Sequence, residues 1–436
     1  MIQSDMEICS ALDFEGGRAL ISGIAGTGKT EILRKSSLIM REKCGFEPVN
    51  SLNLSVGRVD EGASGGGLSF VDFCYRFLSD HALLSPSVSR LNECDKLEII
   101  SRLSRLEYRP EEIRAITDCA CMIREKELGL PEGLQVHRHA NLRYRGLASS
   151  YIDHKKDKGL VDDDDLLMET CVALLRAGEG DRAYPTYDRI YVDDVQDASA
   201  LHLAIIEKLA TAEGATVLFA GDEGQRLSSD ADKRPLVEVL GVDKVFELTH
   251  NRRSSPSLAQ MLSAYRGLSQ EGSSVMSEGG EGLPILAATP SEEVQESMVA
   301  VFVRQSLVIS DHRVAVLART DGEVRRLAQV MERHHLLSDR LTLSTVREAG
   351  RQDYDHVVVY NVADGVYPYG PTSAEMDARE LYVAMSRAKQ GLVLTYTGEL
   401  SPFVSMLDPR LFYSMGQAQM NKLLRMEAMF VKFGSK

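Results

Sequence analysis

At 436 residues the chain exceeds what a single hydrophobic core usually supports, so two or three compact units are expected. A hydrophobic fraction of 44% with 26% charged residues suits a soluble globular protein, and no apolar run is long enough to cross a bilayer. The acidic N-terminus MIQSDMEICSALDF lacks the basic-then-apolar pattern of an export signal, so the expected compartment is cytoplasmic, and the net charge of −14 excludes a uniformly basic nucleic-acid coat while allowing a local basic groove.

In chain order, Arg18 to Ser22 (RALIS) forms a short apolar strand, followed by a glycine-rich turn and the helical pattern TEILRKSSLIM. Between His81 and Gly180 the pattern is helical, as in ECDKLEIISRLSRL and RPEEIRAITDCACMIREKELG. Strands resume at Arg189 to Asp194 (RIYVDD) and Thr216 to Asp222 (TVLFAGD), so one parallel-sheet unit is interrupted by a helical insertion. Glycine and serine enrichment from Gly267 to Gly282 marks a linker. Beyond Pro284 strands and helices alternate again, with strands at Arg313 to Arg319, His356 to Val362 and Leu392 to Thr397. The expected units are therefore 1–80 with 181–266, an insertion at 81–180, a linker at 267–283, a second α/β unit at 284–400 and a helical tail at 401–436. In that tail Met420, Leu423, Leu424, Phe430 and Val431 fall toward one side, which favours packing on the tail's own unit over docking a partner.

Cys9, Cys44, Cys74, Cys94, Cys119, Cys121 and Cys171 make an odd, scattered set without CxxC spacing, against both a disulfide framework and a thiolate zinc site. The acidic run Asp162 to Asp165 suits the opening turn of a helix better than a metal site, because the helix dipole stabilises carboxylates there.

The strongest chemical signal is Gly23-Ile24-Ala25-Gly26-Thr27-Gly28-Lys29-Thr30, a phosphate-binding loop between a strand and a helix. Gly23, Gly26, Thr27 and Gly28 shape a turn whose N–H groups face phosphate oxygens. Lys29 supplies charge to the β and γ phosphates, and the Thr30 hydroxyl is placed to ligate Mg²⁺. At the end of RIYVDD, Asp193 suits the Mg²⁺ shell and Asp194 suits a proton acceptor for an attacking water. ATP and Mg²⁺ are the implied ligands.

Asp193-Asp194-Val195-Gln196-Asp197 resembles the DExQD signature of UvrD/Rep-type superfamily 1 DNA helicases, and Gly159 to Leu167 resembles the segment leading into it. The later motifs keep family order. Gly221-Asp222-Glu223-Gly224-Gln225 resembles GDxxQ, which implies that Gln225 senses the γ-phosphate. His250-Asn251-Arg252-Arg253-Ser254 resembles NYRS, which implies that Arg253 meets the same phosphate. Leu381 to Lys389 resembles YVxxTRA, which makes Arg387 an arginine finger. The resemblance implies α/β architecture with two RecA-like halves, a helical insertion in the first, and ATP-driven movement on single-stranded or partly duplex DNA. Only about ninety residues separate Arg253 from Thr345, so the family's second accessory subdomain is absent.

The departures from the family pattern are specific. Asp194 is one methylene shorter than the family glutamate, Arg252 replaces the tyrosine that stacks on adenine, and Gln3 lies too far upstream to be a clear adenine reader. The stretch after GDxxQ is RLSSDADKRPL without stacking aromatics, and the chain has no tryptophan. Ser69 to Cys74 resembles TFHxLA with Val71 for histidine, and Phe70, Phe73 and Tyr75 are expected in the core. Thr345 to Tyr354 resembles TLHxxKGLEF without its Lys-Gly pair, leaving Arg347 and Arg351 as phosphate contacts. Besides the motor, these departures keep open a helicase-like regulatory ATPase that acts through a protein partner. A small P-loop kinase does not account for Gln225, Arg253 and Arg387 in that order.

Overall fold

The computed structural model describes residues 3–43, 50–56, 67–106, 108, 110–177, 184–210, 214–227, 234–269, 282–308, 311–349, 352–369 and 374–433. The chain begins with α1 (Gln3–Leu12), β1 (Gly17–Gly23), α2 (Lys29–Lys43), β2 (Ser51–Ser55), β3 (Leu68–Ser69) and α3 (Phe70–Asp80). A mostly helical stretch follows, with β4 (Ser89–Arg90), α4 (Glu93–Ser104), α5 (Pro110–Leu128), α6 (Arg145–Lys158), β5 (Leu160–Val161) and α7 (Asp163–Arg176). The chain then returns through β6 (Arg189–Asp193), α8 (Ala200–Leu209), β7 (Thr216–Gly221), α9 (Leu236–Leu240), β8 (Lys244–Leu248) and α10 (Pro256–Ser269).

These strands form a parallel sheet of order β3-β2-β6-β7-β1-β8. Every residue of β7, TVLFAG, is buried, as a central parallel strand covered on both faces requires. Because all strands run the same way, the C-terminal ends of β1, β6, β7 and β8 open on one edge, where ligands of α/β sheets collect.

The second half contains β9 (Ile285–Thr289), α11 (Glu292–Val308), β10 (Val314–Ala318), α12 (Asp321–Arg333), β11 (Leu341–Thr345), β12 (Tyr354–Val359) and α13 (Ala374–Ser386). It ends with β13 (Ala388–Thr397), α14 (Pro402–Ser405), β14 (Tyr413–Ser414) and α15 (Gln417–Phe433). Its sheet is again parallel, in the order β11-β10-β12-β13-β9-β14. The expected α/β class with two RecA-like halves and a helical insertion is therefore present.

The insertion has its own core, in which Ile100, Ile116, Cys119, Ala148 and Tyr151 are buried. The acidic run lies at its seam. Asp162 caps α7, and Asp162 and Asp165 form a reciprocal capping box, while Lys155 donates to both at 2.6 Å and Tyr151 Oη donates to Asp162 at 2.9 Å. Lys155 thus supplies one ammonium shared by both buried carboxylates.

Two expectations are refined here. On α3, Phe70, Phe73 and Phe77 share the buried face, but Tyr75 is 37% exposed, because five residues along a helix from Phe70 is on the opposite side. On α15, Met420 is buried and Leu423 and Leu424 pack against the second sheet's core, while the Phe430 and Val431 side chains lie outside the described residues. Residues 270–281 of the expected linker also lie outside the described residues. Leu258, Met261, Leu262 and Tyr265 of α10 pack into the core that Leu381, Met385 and Leu392 of the second half build, so α10 sits on the second sheet although it precedes the linker. No described helix is long and apolar enough to cross a membrane.

Candidate active site

The loop after β1 turns back on itself because Gly26 and Gly28 take φ of +84° and +90°. Gly23 is packed too closely for any side chain: a Cβ there would lie 2.8 Å from the Leu248 carbonyl oxygen. Thr27 is buried and donates to the Ile24 carbonyl at 2.9 Å. Gly23 and Thr27 thus shape the loop without lining the cleft beyond it, whereas Gly26, Gly28, Lys29 and Thr30 line that cleft.

The cleft has a volume of about 740 Å³ and gathers Asp193, Asp194, Gln225, Arg253 and Arg387 as well. Lys29 Nζ donates to the carbonyls of Gly23 at 2.7 Å and Ile24 at 3.0 Å. Enclosure pushes the Lys29 pKa below the ordinary lysine value, against the opposing pull of Asp222, Asp193 and Asp194. Thr30 Oγ1 donates to Asp193 Oδ2 at 2.6 Å, so the hydroxyl and carboxylate suited to a hydrated divalent cation are adjacent.

Asp194 begins the turn after β6 at φ +59°, a left-handed conformation that costs a non-glycine residue. Its carboxylate accepts from Gln196 Nε2 at 3.4 Å and Ser55 Oγ at 3.5 Å, and its N–H bonds Asp193 Oδ1 at 2.9 Å.

The two halves meet across this cleft. Arg387, at the end of α13, is 5% exposed and donates from Nη2 to Gln225 Oε1 at 3.0 Å. Arg253 reaches the other way, to Asp353 Oδ1 at 2.7 Å and the Ser386 carbonyl at 2.7 Å, and its Nε is buried without a partner among the described residues. Arg253 lines the cleft, and a guanidinium there suits an anion.

Several residues matter that the motifs alone did not assign. Asn251 joins two motifs: its Nδ2 donates to the Ala25 carbonyl at 3.0 Å, and its Oδ1 accepts from the Arg253 and Ser254 N–H groups at 2.9 Å each. The Arg252 N–H bonds the Gly26 carbonyl at 2.8 Å, while its side chain lines the cleft. Asp222 is 1% exposed and accepts from Gln225 Nε2 at 3.0 Å and Arg266 at 3.1 Å. Tyr382, stacked on Tyr265 with centroids 6.2 Å apart, accepts the Ala25 N–H through Oη at 3.4 Å. Asn251 and Asp222 sit inside the quoted motifs and were visible there. Tyr382 lies 357 residues from Ala25, and only folding pairs them.

Of the arginines expected on DNA phosphates, Arg347 is 48% exposed and pairs with Glu380 at 3.1 Å, and Arg351 lies outside the described residues.

Residues 69–227 match the family model described as the UvrD/REP helicase N-terminal domain, and residues 325–399 match the UvrD-like helicase C-terminal domain. The phosphate-loop residues precede the first match, so their assignment rests on their own pattern and geometry. Among solved structures, the C-terminal domain of a possible DNA helicase from Lactobacillus plantarum WCFS1 is 18% identical, with 37% of this chain and 97% of that chain covered and a TM-score of 0.30. No curated protein matches. The two matched models together span more than half of the chain, in family order and one on each sheet, and the chain belongs to the UvrD/Rep-like helicases.

Proposed function

We propose that this protein hydrolyses Mg²⁺-ATP between its two halves and uses their closure to move along single-stranded DNA, 3′ to 5′ by the family resemblance, on single-stranded or partly duplex substrates. The observation that carries the reading is the 3.0 Å bond from Arg387 of one half to Gln225 of the other at the mouth of the phosphate loop. In this reading Lys29 and the loop amides bind the β and γ phosphates, and Thr30 with Asp193 holds Mg²⁺, which neutralises phosphate charge when bound. Asp194 takes the proton of the attacking water and Gln225 senses the γ-phosphate. Arg253 and Arg387 stabilise charge on the transferred phosphoryl group, and an arginine in that role is worth about 10³ to 10⁵ in rate.

The residues present fit this assignment: the lysine, the hydroxyl, two carboxylates and two guanidinium groups share one cleft. Asp194, short and held at φ +59°, favours slow hydrolysis and lends weight to a second reading, a regulatory ATPase that acts through a protein partner. Steady-state ATPase with and without single-stranded DNA separates the two, with Lys29→Ala as the blank. Stimulation by DNA supports the motor; a rate indifferent to DNA supports the regulator.

A further inference from the structure

Beyond Asp194 the cleft continues into a side arm between α2 and strands β2 and β6, lined by Arg34, Lys35, Asn53, Ser55 and Tyr191. The parallel register sets Asn53 beside Tyr191 and Ser55 beside Asp193. Residues two apart on a strand share a face, so these four side chains form a polar ladder on the face that α2 covers. Such a face is ordinarily apolar. Tyr191 lines the cleft at 3% exposure, and its buried hydroxyl has no hydrogen-bond partner among the described residues. Buried hydroxyls in native folds are rarely left so unless a ligand or water completes them. At the rim Glu31 is held by Arg34 at 2.8 Å and Lys35 at 3.4 Å, which leaves that group of three with one net positive charge.

We propose that this arm receives the orthophosphate product of ATP hydrolysis before it leaves the protein. The proposal rests on the hydrolytic reading above. In an in-line displacement the water oxygen bonds to the γ-phosphorus and the bond to the β–γ bridging oxygen breaks, its electron pair leaving with ADP. The water proton passes to Asp194, and the phosphorus moves toward the attacking side. That side is where Asp194 and Ser55 stand, and the arm opens behind them. The Tyr191 hydroxyl and the Asn53 amide offer donors to phosphate oxygens, with Lys35 and Arg34 at the exit. Once Asp194 has given up the proton it took, its carboxylate and that of Asp193 at the entrance repel the anion, which makes its stay brief.

The test is equilibrium binding of inorganic phosphate to the full chain by ³¹P NMR, together with inhibition of ATP turnover by added inorganic phosphate and by ADP. Phosphate binding should survive Lys29→Ala and weaken about tenfold in Tyr191→Phe, the scale for losing a hydrogen bond to a charged group. Inhibition of turnover by phosphate should weaken equally in Tyr191→Phe, while inhibition by ADP stays unchanged. Asn53→Leu, a second change on the ladder, should act in the same direction.

Phosphate binding lost in Lys29→Ala and unaffected by both ladder variants would place the anion in the phosphate loop and overturn the proposal, as would undetectable binding. Phosphate bound to the arm in a chain that does not turn over ATP would sink the hydrolytic reading instead.

Discussion

At the scale of single residues, the site depends on side chains that bond backbone across motif boundaries. Asn251 supplies one donor and two acceptor bonds, so Asn251→Ala should cost about 1–3 kcal/mol in urea unfolding and weaken nucleotide binding, while Asn251→Asp should keep the bonds to Arg253 and Ser254 and lose less. Lys29→Ala should abolish ATP turnover. Arg387→Ala should lower kcat by about 10³ or more and leave binding of a fluorescent nucleotide within a few-fold; normal hydrolysis by that variant would rule out Arg387 as the finger. The identities of these residues were legible in the sequence because each motif is short and local. The partners of Arg253 were not, since Asp353 lies 100 residues away and the bond forms only when the two sheets face each other.

Among the elements, two buried charge clusters govern stability. Lys155→Met would leave Asp162 and Asp165 facing each other without their ammonium and should destabilise the insertion by about 3–5 kcal/mol, seen as an early transition in thermal unfolding. Glu427 anchors α15 to α11 through Arg304, at 2.8 Å, and to His334 at the end of α12, at 2.9 Å. Burial alone would raise its pKa, but the hydrogen bonds from Arg304 and His334 outweigh it and hold the carboxyl below the ordinary glutamate value. Its contribution to stability is therefore present above the unfolded glutamate pKa and lost as pH falls through that range toward the folded value. Melting temperature should drop between about pH 5 and 3 more steeply in the native chain than in Glu427→Gln. An equal slope in both would remove Glu427 from that role.

Of the strands visible in the sequence, β7 and β10 are buried along their whole length, and β1, β6 and β12 each hold a run of three buried residues. Among those it does not announce, β2, β8 and β11 lie at or near sheet edges and interrupt their buried positions with half-buried ones, in β8 with exposed ones, which blurs the apolar run.

For the whole molecule, the placement of α10 sets where a pivot for the proposed closure of the halves would lie. Asn251 and Arg252 are bonded to the phosphate loop, whereas Arg253, Ser254 and Ser255 are bonded to Ser386, Ala388 and Lys389 of the second half. The covalent crossing from one half to the other thus occurs within a residue or two of the nucleotide cleft. A pivot that close to the site converts a small local rotation into a large displacement at the far rims, as a short-armed lever does. Restricting the backbone there should therefore matter more than lengthening the glycine- and serine-rich stretch from Gly267 to Gly282. Inserting several glycines after Ser277 should leave DNA-stimulated ATPase near normal, whereas Ser254→Pro should suppress it, and the opposite ranking would move the pivot downstream. A fragment intended to carry the second half alone must likewise begin before Pro256, since starting at Pro284 removes Leu258, Met261 and Leu262 from its core and should yield an aggregating product in size-exclusion chromatography.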